Sequence, residues 1–99
     1  MFALTLTSPA QIIENVAARM KRRRIDMNLT QRELASRSGV SYGSLRLLEE
    51  TGKGSFEAVV KIAFALEAEA ELETLFPPRP AKTLDDVIGH PVRQRVRKK

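Results

Sequence analysis

Apolar residues recur along this chain at helical spacing, in blocks punctuated by polar caps and by glycine or proline. Ile13, Val16, Ala17 and Met20 form the first such row, behind Ser8-Pro9-Ala10-Gln11. Ser8 suits an N-cap, Pro9 the first helical position, and Gln11 closes a capping box. The spacing predicts a helix to about Arg24 with that row facing a core, and Ile25, Met27 and Leu29 carry apolar anchoring through the connection. Thr30 and Glu33 form a T-x-x-E capping box for a second helix whose Leu34 and Ala35 face inward. Gly39 tolerates the left-handed backbone of a tight turn, and Val40 plugs the corner. Ser41 caps a third helix, in which Leu45 and Leu48 make the buried stripe while Tyr42, Gly43, Arg46 and Leu47 fall on other faces.

Thr51-Gly52-Lys53-Gly54 reads as a flexible loop and Ser55 as the cap of a fourth helix reaching about Glu67, with Phe56, Val59, Ala63 and Leu66 inward. Leu72, Leu75 and Phe76 predict a short fifth helix stopped by Pro77 and Pro78. The expected class is all-α, five helices around one core. It comprises an N-terminal arm over 1–8, a helix-turn-helix domain over 9–76, and a tail over 77–99 that is Pro-rich, then basic. The tail has too few apolar residues for a second core and reads as an extended appendage, with at most one helical turn at Leu84 to Ile88.

Charge changes the picture by its layout more than by its total of +5. Residues 1–54 carry nine Lys/Arg against five Asp/Glu, 55–76 one against five, and 77–99 seven against two. A basic front half suits phosphate attraction, and the acidic middle is expected to point away from DNA. With 99 residues the chain makes one domain with appendages, and the absence of cysteine excludes disulfides and fits a reducing cytoplasm. The opening MFALTLTSP has no basic n-region and no run of apolar residues is long enough to span a bilayer. Neither a signal peptide nor a membrane span is expected.

Two short helices joined by a glycine turn are a means of presenting one helix to the DNA major groove. The segment Leu29–Glu50 resembles λ-repressor-like, or Xre-type, helix-turn-helix regulators, through Gln31, Ala35, Gly39, Val40, Leu45, Leu48 and Glu49. The resemblance covers about Val16 to Phe76 and implies the same five-helix architecture. A narrower likeness lies in EETGKGSFEAVVKIAFALE, LFPP and the arginine-rich end, which resemble HipB-type regulators, the DNA-binding partners of Hip-type kinase toxins.

The resemblance implies that Gln31 meets a phosphate at a helix N-terminus, and that Arg24 pairs with Glu49 to fix the angle of the recognition helix. Ser41, Tyr42 and Gly43 lie where a recognition helix first enters the groove. Gly43 has no side chain to read a base and lets the helix approach closely. Arg46 can fork onto O6 and N7 of a guanine or touch only phosphate, and Tyr42 and Leu47 can lie against thymine methyl groups. Ser44 and Lys53 are assigned with Gln31 to phosphates. The chain departs from the family's pattern at Glu50 and Thr51, where asparagine and glycine are usual. Glu50 is expected to repel a nearby phosphate, and Ser38 stands where an apolar residue is common. Phe64, on a face that is commonly polar in relatives, joins Leu72 and Leu75 as an expected surface for a homodimer.

An enzyme is not expected. The single histidine, His90, has no cysteine or second histidine to complete a metal site or nucleophile pair, Asp85-Asp86 lacks the setting of a catalytic dyad, and Gly52-Lys53-Gly54 falls short of a phosphate loop. No cofactor or metal is implied. The residues therefore point to a dimeric repressor on a double-stranded DNA operator, autoregulating a toxin-antitoxin operon, or to an antitoxin whose main role is binding a Hip-type kinase. A protein that bridges other proteins and contacts little DNA is a third reading.

Overall fold

A computed structural model describes residues 7–80. The expected basic tail from 81 onward, with His90 and Asp85-Asp86, lies outside the described residues, as does most of the N-terminal arm. The described residues form five helices and no strand: α1 (Pro9–Asp26), α2 (Gln31–Ser38), α3 (Tyr42–Thr51), α4 (Phe56–Ala65) and α5 (Glu69–Glu73). The fold is all-α.

Each of the first four helices starts on a side-chain cap. Ser8 Oγ accepts from the Gln11 N–H at 3.1 Å and Ser55 Oγ from the Ala58 N–H at 3.0 Å. At α2 the capping box is complete: Thr30 Oγ1 accepts from the Glu33 N–H at 3.0 Å, while the Glu33 carboxylate accepts from the Thr30 N–H at 2.8 Å. Gly39 and Gly52 end α2 and α3 in the left-handed region, at φ of 78° and 80°. The Gly52 N–H donates to Leu48 O at 2.8 Å, so the expected loop begins at Gly52, and Thr51 belongs to the last turn of α3.

Helix α1 packs mainly on α3, α2 on both α3 and α4, and α5 on α4. Leu34, Leu45 and Ile62 are fully buried, and Leu29, Ala35, Val40, Leu48 and Leu66 complete the cluster, with Met20, Met27, Tyr42 and Val59 packed against it. Burial of each large side chain contributes about 1.5–3 kcal/mol, so this small set carries most of the hydrophobic stabilisation.

Several expected core positions are corrected. Ile13, Val16 and Ile25 are 46%, 42% and 47% exposed, and the row of α1 that turns inward is Ala17, Met20 and Arg24. Val16 and Ile25 flank that row on either side, and Ile13, on the row itself, lies over the Gly52 end of α3, near where the 18-residue α1 begins to outrun the 10-residue α3, by up to about two turns at roughly 1.5 Å per residue. In α4 the buried row is Ile62, Ala63 and Leu66 with Val59, following the i, i+3, i+4, i+7 pattern. Phe56 lies one turn ahead of that row and is 64% exposed. Helix α4 ends at Ala65, short of Glu67, whose φ of 61° takes it out of the helix. Helix α5 ends at Glu73, so Leu75 and Phe76 follow it, and it stops before the prolines are reached.

Candidate nucleic-acid interface

The buried centre behind α3 is ionic. Arg24 Nε donates to Glu49 Oε2 at 2.8 Å and Arg24 Nη2 to Glu49 Oε1 at 3.1 Å, a bidentate pair with side chains 10% and 1% exposed. The third guanidinium nitrogen, Nη1, donates to Leu29 O at 2.9 Å. Gln31 Nε2 donates to Glu49 Oε1 at 2.9 Å. One carboxylate thus ties α3 to the end of α1, to the α1–α2 connection through the same arginine, and to the first residue of α2. An ion pair left unsatisfied here would cost far more than a surface pair, and the three donors prevent that.

The opposite face of α3 is open. Ser41 Oγ accepts from the Ser44 N–H at 3.1 Å and its hydroxyl bonds that of Ser44 at 2.9 Å, so these two side chains close the first turn on each other. Gly43 is exposed, and a Cβ built there meets nothing within 4 Å, so packing inside this chain does not demand a glycine. Leu47 is 47% exposed. Arg46 Nη2 lies 3.2 Å from Glu50 Oε2, one turn along the same face. Thr51 Oγ1 donates to Leu47 O at 2.8 Å and accepts from the Lys53 N–H at 3.1 Å, which holds the backbone at Lys53 against the end of α3.

Tyr42 is half-buried and packs partly on the core. The Arg32 guanidinium carbon sits 4.0 Å from its ring centroid and that of Arg46 5.7 Å, placing two cations over one aromatic face or edge system. Arg32 escaped the reading of the sequence because its partner is ten residues away, across the turn. The Arg46–Glu50 contact, by contrast, has the i, i+4 spacing of a helical ion pair and was open to inference.

Of the residues assigned to DNA, Ser41, Tyr42, Gly43, Ser44, Arg46 and Leu47 therefore lie on or beside the first turns of α3. Gln31 is half-buried with its amide on Glu49, and Lys53 sits beyond the far end of α3. The residues assigned to a dimer divide. Leu72 and Leu75 line a groove of about 310 Å³ with Val16, Met20, Val59 and Leu66, whereas Phe64, 62% exposed, is not part of its lining. Arg23 on the rim bonds Glu71 at 2.9 Å, and that hydrogen bond, with the charge behind it, raises the arginine's pKa further above its ordinary value.

Among the described residues no helix is long and apolar enough to cross a membrane, and no group of acidic, histidine or cysteine side chains is placed to hold a metal ion. No protein-family model, curated protein or solved structure matches the chain.

Proposed function

We propose that this chain is a cytoplasmic, sequence-specific DNA-binding regulator, in which α2 and α3 form a helix-turn-helix and α3 is the recognition helix. The observation that carries the reading is the two-sided construction of α3. Its inner face is clamped by the Arg24–Glu49–Gln31 network, while its outer face leaves Gly43, Arg46 and Leu47 exposed with Tyr42 at their edge. A rigidly held helix with an exposed arginine, a gap the size of a side chain and an apolar residue suits insertion into a major groove about 12 Å wide. Arg46 reads a guanine edge, Leu47 meets a thymine methyl, Ser44 and Lys53 approach phosphates, and Gln31, whose amide is held on Glu49, offers a phosphate its N–H at the N-terminus of α2.

The regulator acts as a homodimer on an operator with two half-sites about 34 Å apart, and represses by excluding polymerase. Enrichment of bound duplexes from a random library, followed by competition with random DNA at fixed salt, tests this. One enriched motif with dyad symmetry is expected. Equal affinity for all duplexes would reject sequence-specific regulation.

In a second reading, the apolar groove between α1, α4 and α5 holds a Hip-type kinase in place of a second copy of this chain, and the chain then acts as antitoxin of the same operon. Formation of a stoichiometric complex between the two purified proteins is its test.

A further inference from the structure

A carboxylate on the outer face of α3 works against binding a polyanion. Glu50 is 56% exposed in its side chain, and its partner Arg46 is 49% exposed. An exposed pair of this kind adds little to the stability of a helix, so its position on this face calls for another account. The contact between Arg46 Nη2 and Glu50 Oε2 is single, which leaves most of the guanidinium's N–H donors free. The same guanidinium lies 5.7 Å from the Tyr42 centroid, and Arg32 lies 4.0 Å from it. Arg46 is thus oriented from two sides, by a carboxylate one turn ahead and an aromatic ring one turn behind.

Resting on the DNA-binding reading above, we propose that Glu50 is a specificity-determining residue, which withholds the charge of Arg46 from phosphates while leaving its donors available to a guanine. On random DNA, a phosphate that captured the free donors of Arg46 would have to lie beside the negative charge of Glu50. Over a guanine, Arg46 points its free donors at O6 and N7 and keeps Glu50 as its neighbour. The carboxylate then faces the groove floor, where the exocyclic amine of a cytosine is a donor it accepts from. Four residues of helix advance about 6 Å, close to two base steps, so the cytosine belongs within about two base pairs of the guanine. Arg32, held on the Tyr42 ring and free of an ion pair among the described residues, is left to supply the phosphate contact that Arg46 is denied.

The test uses the full chain, a duplex enriched by the wild-type protein, and random duplex across a salt series. Glu50→Gln keeps the shape and a hydrogen-bond acceptor for Arg46 but removes the charge. It should tighten binding to random DNA several-fold, steepen the salt slope by about one, and lower discrimination by roughly ten-fold. Glu50→Lys should move all three further in the same direction. Re-enrichment with Glu50→Gln should lose the cytosine preference and retain the guanine. Unchanged discrimination and salt slope in both variants, with a wild-type chain that does discriminate, would overturn the role of Glu50 and leave the regulator intact. A wild-type chain without sequence preference would overturn both.

Discussion

Removing either partner of the Arg24–Glu49 pair should bring the protein close to unfolding, and removing both should cost less than the sum. The two charges meet through bonds of 2.8 and 3.1 Å in a setting where the carboxylate side chain is 1% exposed. At an effective dielectric of about 20, unit charges some 4 Å apart attract by about 4 kcal/mol. Arg24→Met leaves Glu49 buried with only the Gln31 amide, and Glu49→Leu leaves Arg24 buried with only the Leu29 carbonyl. Each single variant should lose about 3 to 5 kcal/mol. A domain of about 70 residues carries on the order of 4 to 10 kcal/mol in all, so each single variant consumes much of its stability. The double variant replaces both charges with apolar groups of similar bulk and should recover about 2 to 3 kcal/mol of the summed loss. Urea unfolding of all four proteins, followed by circular dichroism and with an osmolyte present to keep the single variants folded, measures that coupling. A coupling within about 0.5 kcal/mol of zero would refute the view that α3 is positioned by a buried ion pair.

The glycines give a graded test of packing. Gly39→Ala meets only the strain of a left-handed φ and should cost about 1 to 2 kcal/mol, while Gly52→Ala adds an overlap with Ile13 Cγ2 and should cost more, read from thermal unfolding. Gly43→Ala should instead stabilise α3 by about 0.5 to 1 kcal/mol while weakening operator binding, and a stabilised variant with unaltered affinity would show that the helix does not approach DNA at that point. Arg46→Ala should lower affinity for the operator more than for random DNA, with Lys53→Ala affecting both alike; equal losses from Arg46→Ala in competition assays would reduce it to a phosphate contact. In sedimentation, Leu75→Asp should dissociate a dimer that the wild-type chain forms at tens of micromolar, and a monomeric wild type, alone and with operator, would exclude the two-fold arrangement.

The helix starts were legible because their causes are local. Ser8, Thr30 with Glu33, Ser41 and Ser55 each bond a backbone N–H three residues ahead, and Gly39 relieves a turn through its own φ. Interactions of that range are encoded in consecutive residues and survive whatever the rest of the chain does. Periodicity also marked Leu34, Leu45 and Leu48 within α2 and α3, and Leu66 at the C-cap of α4, all of which neighbouring helices cover.

Periodicity did not tell where each helix runs out of partners. Ile13, Val16 and Phe56 have the right spacing and remain 46%, 42% and 64% exposed, whereas Ile62, absent from the expected row, is fully buried. Covering a side chain takes a second element at a particular height along the axis, and a repeat within one helix carries no such coordinate. The same holds for the candidate interface. Its residue types and their place at the start of α3 follow from the chain, but Gln31 comes to Glu49 across 18 residues and Arg32 to the Tyr42 ring across the turn only after α2 and α3 are docked. Which polar groups face the outside and which are spent holding α3 in place is a property of that docking, because one donor on one arm can serve a buried carboxylate or an external ligand and the surrounding packing decides between them.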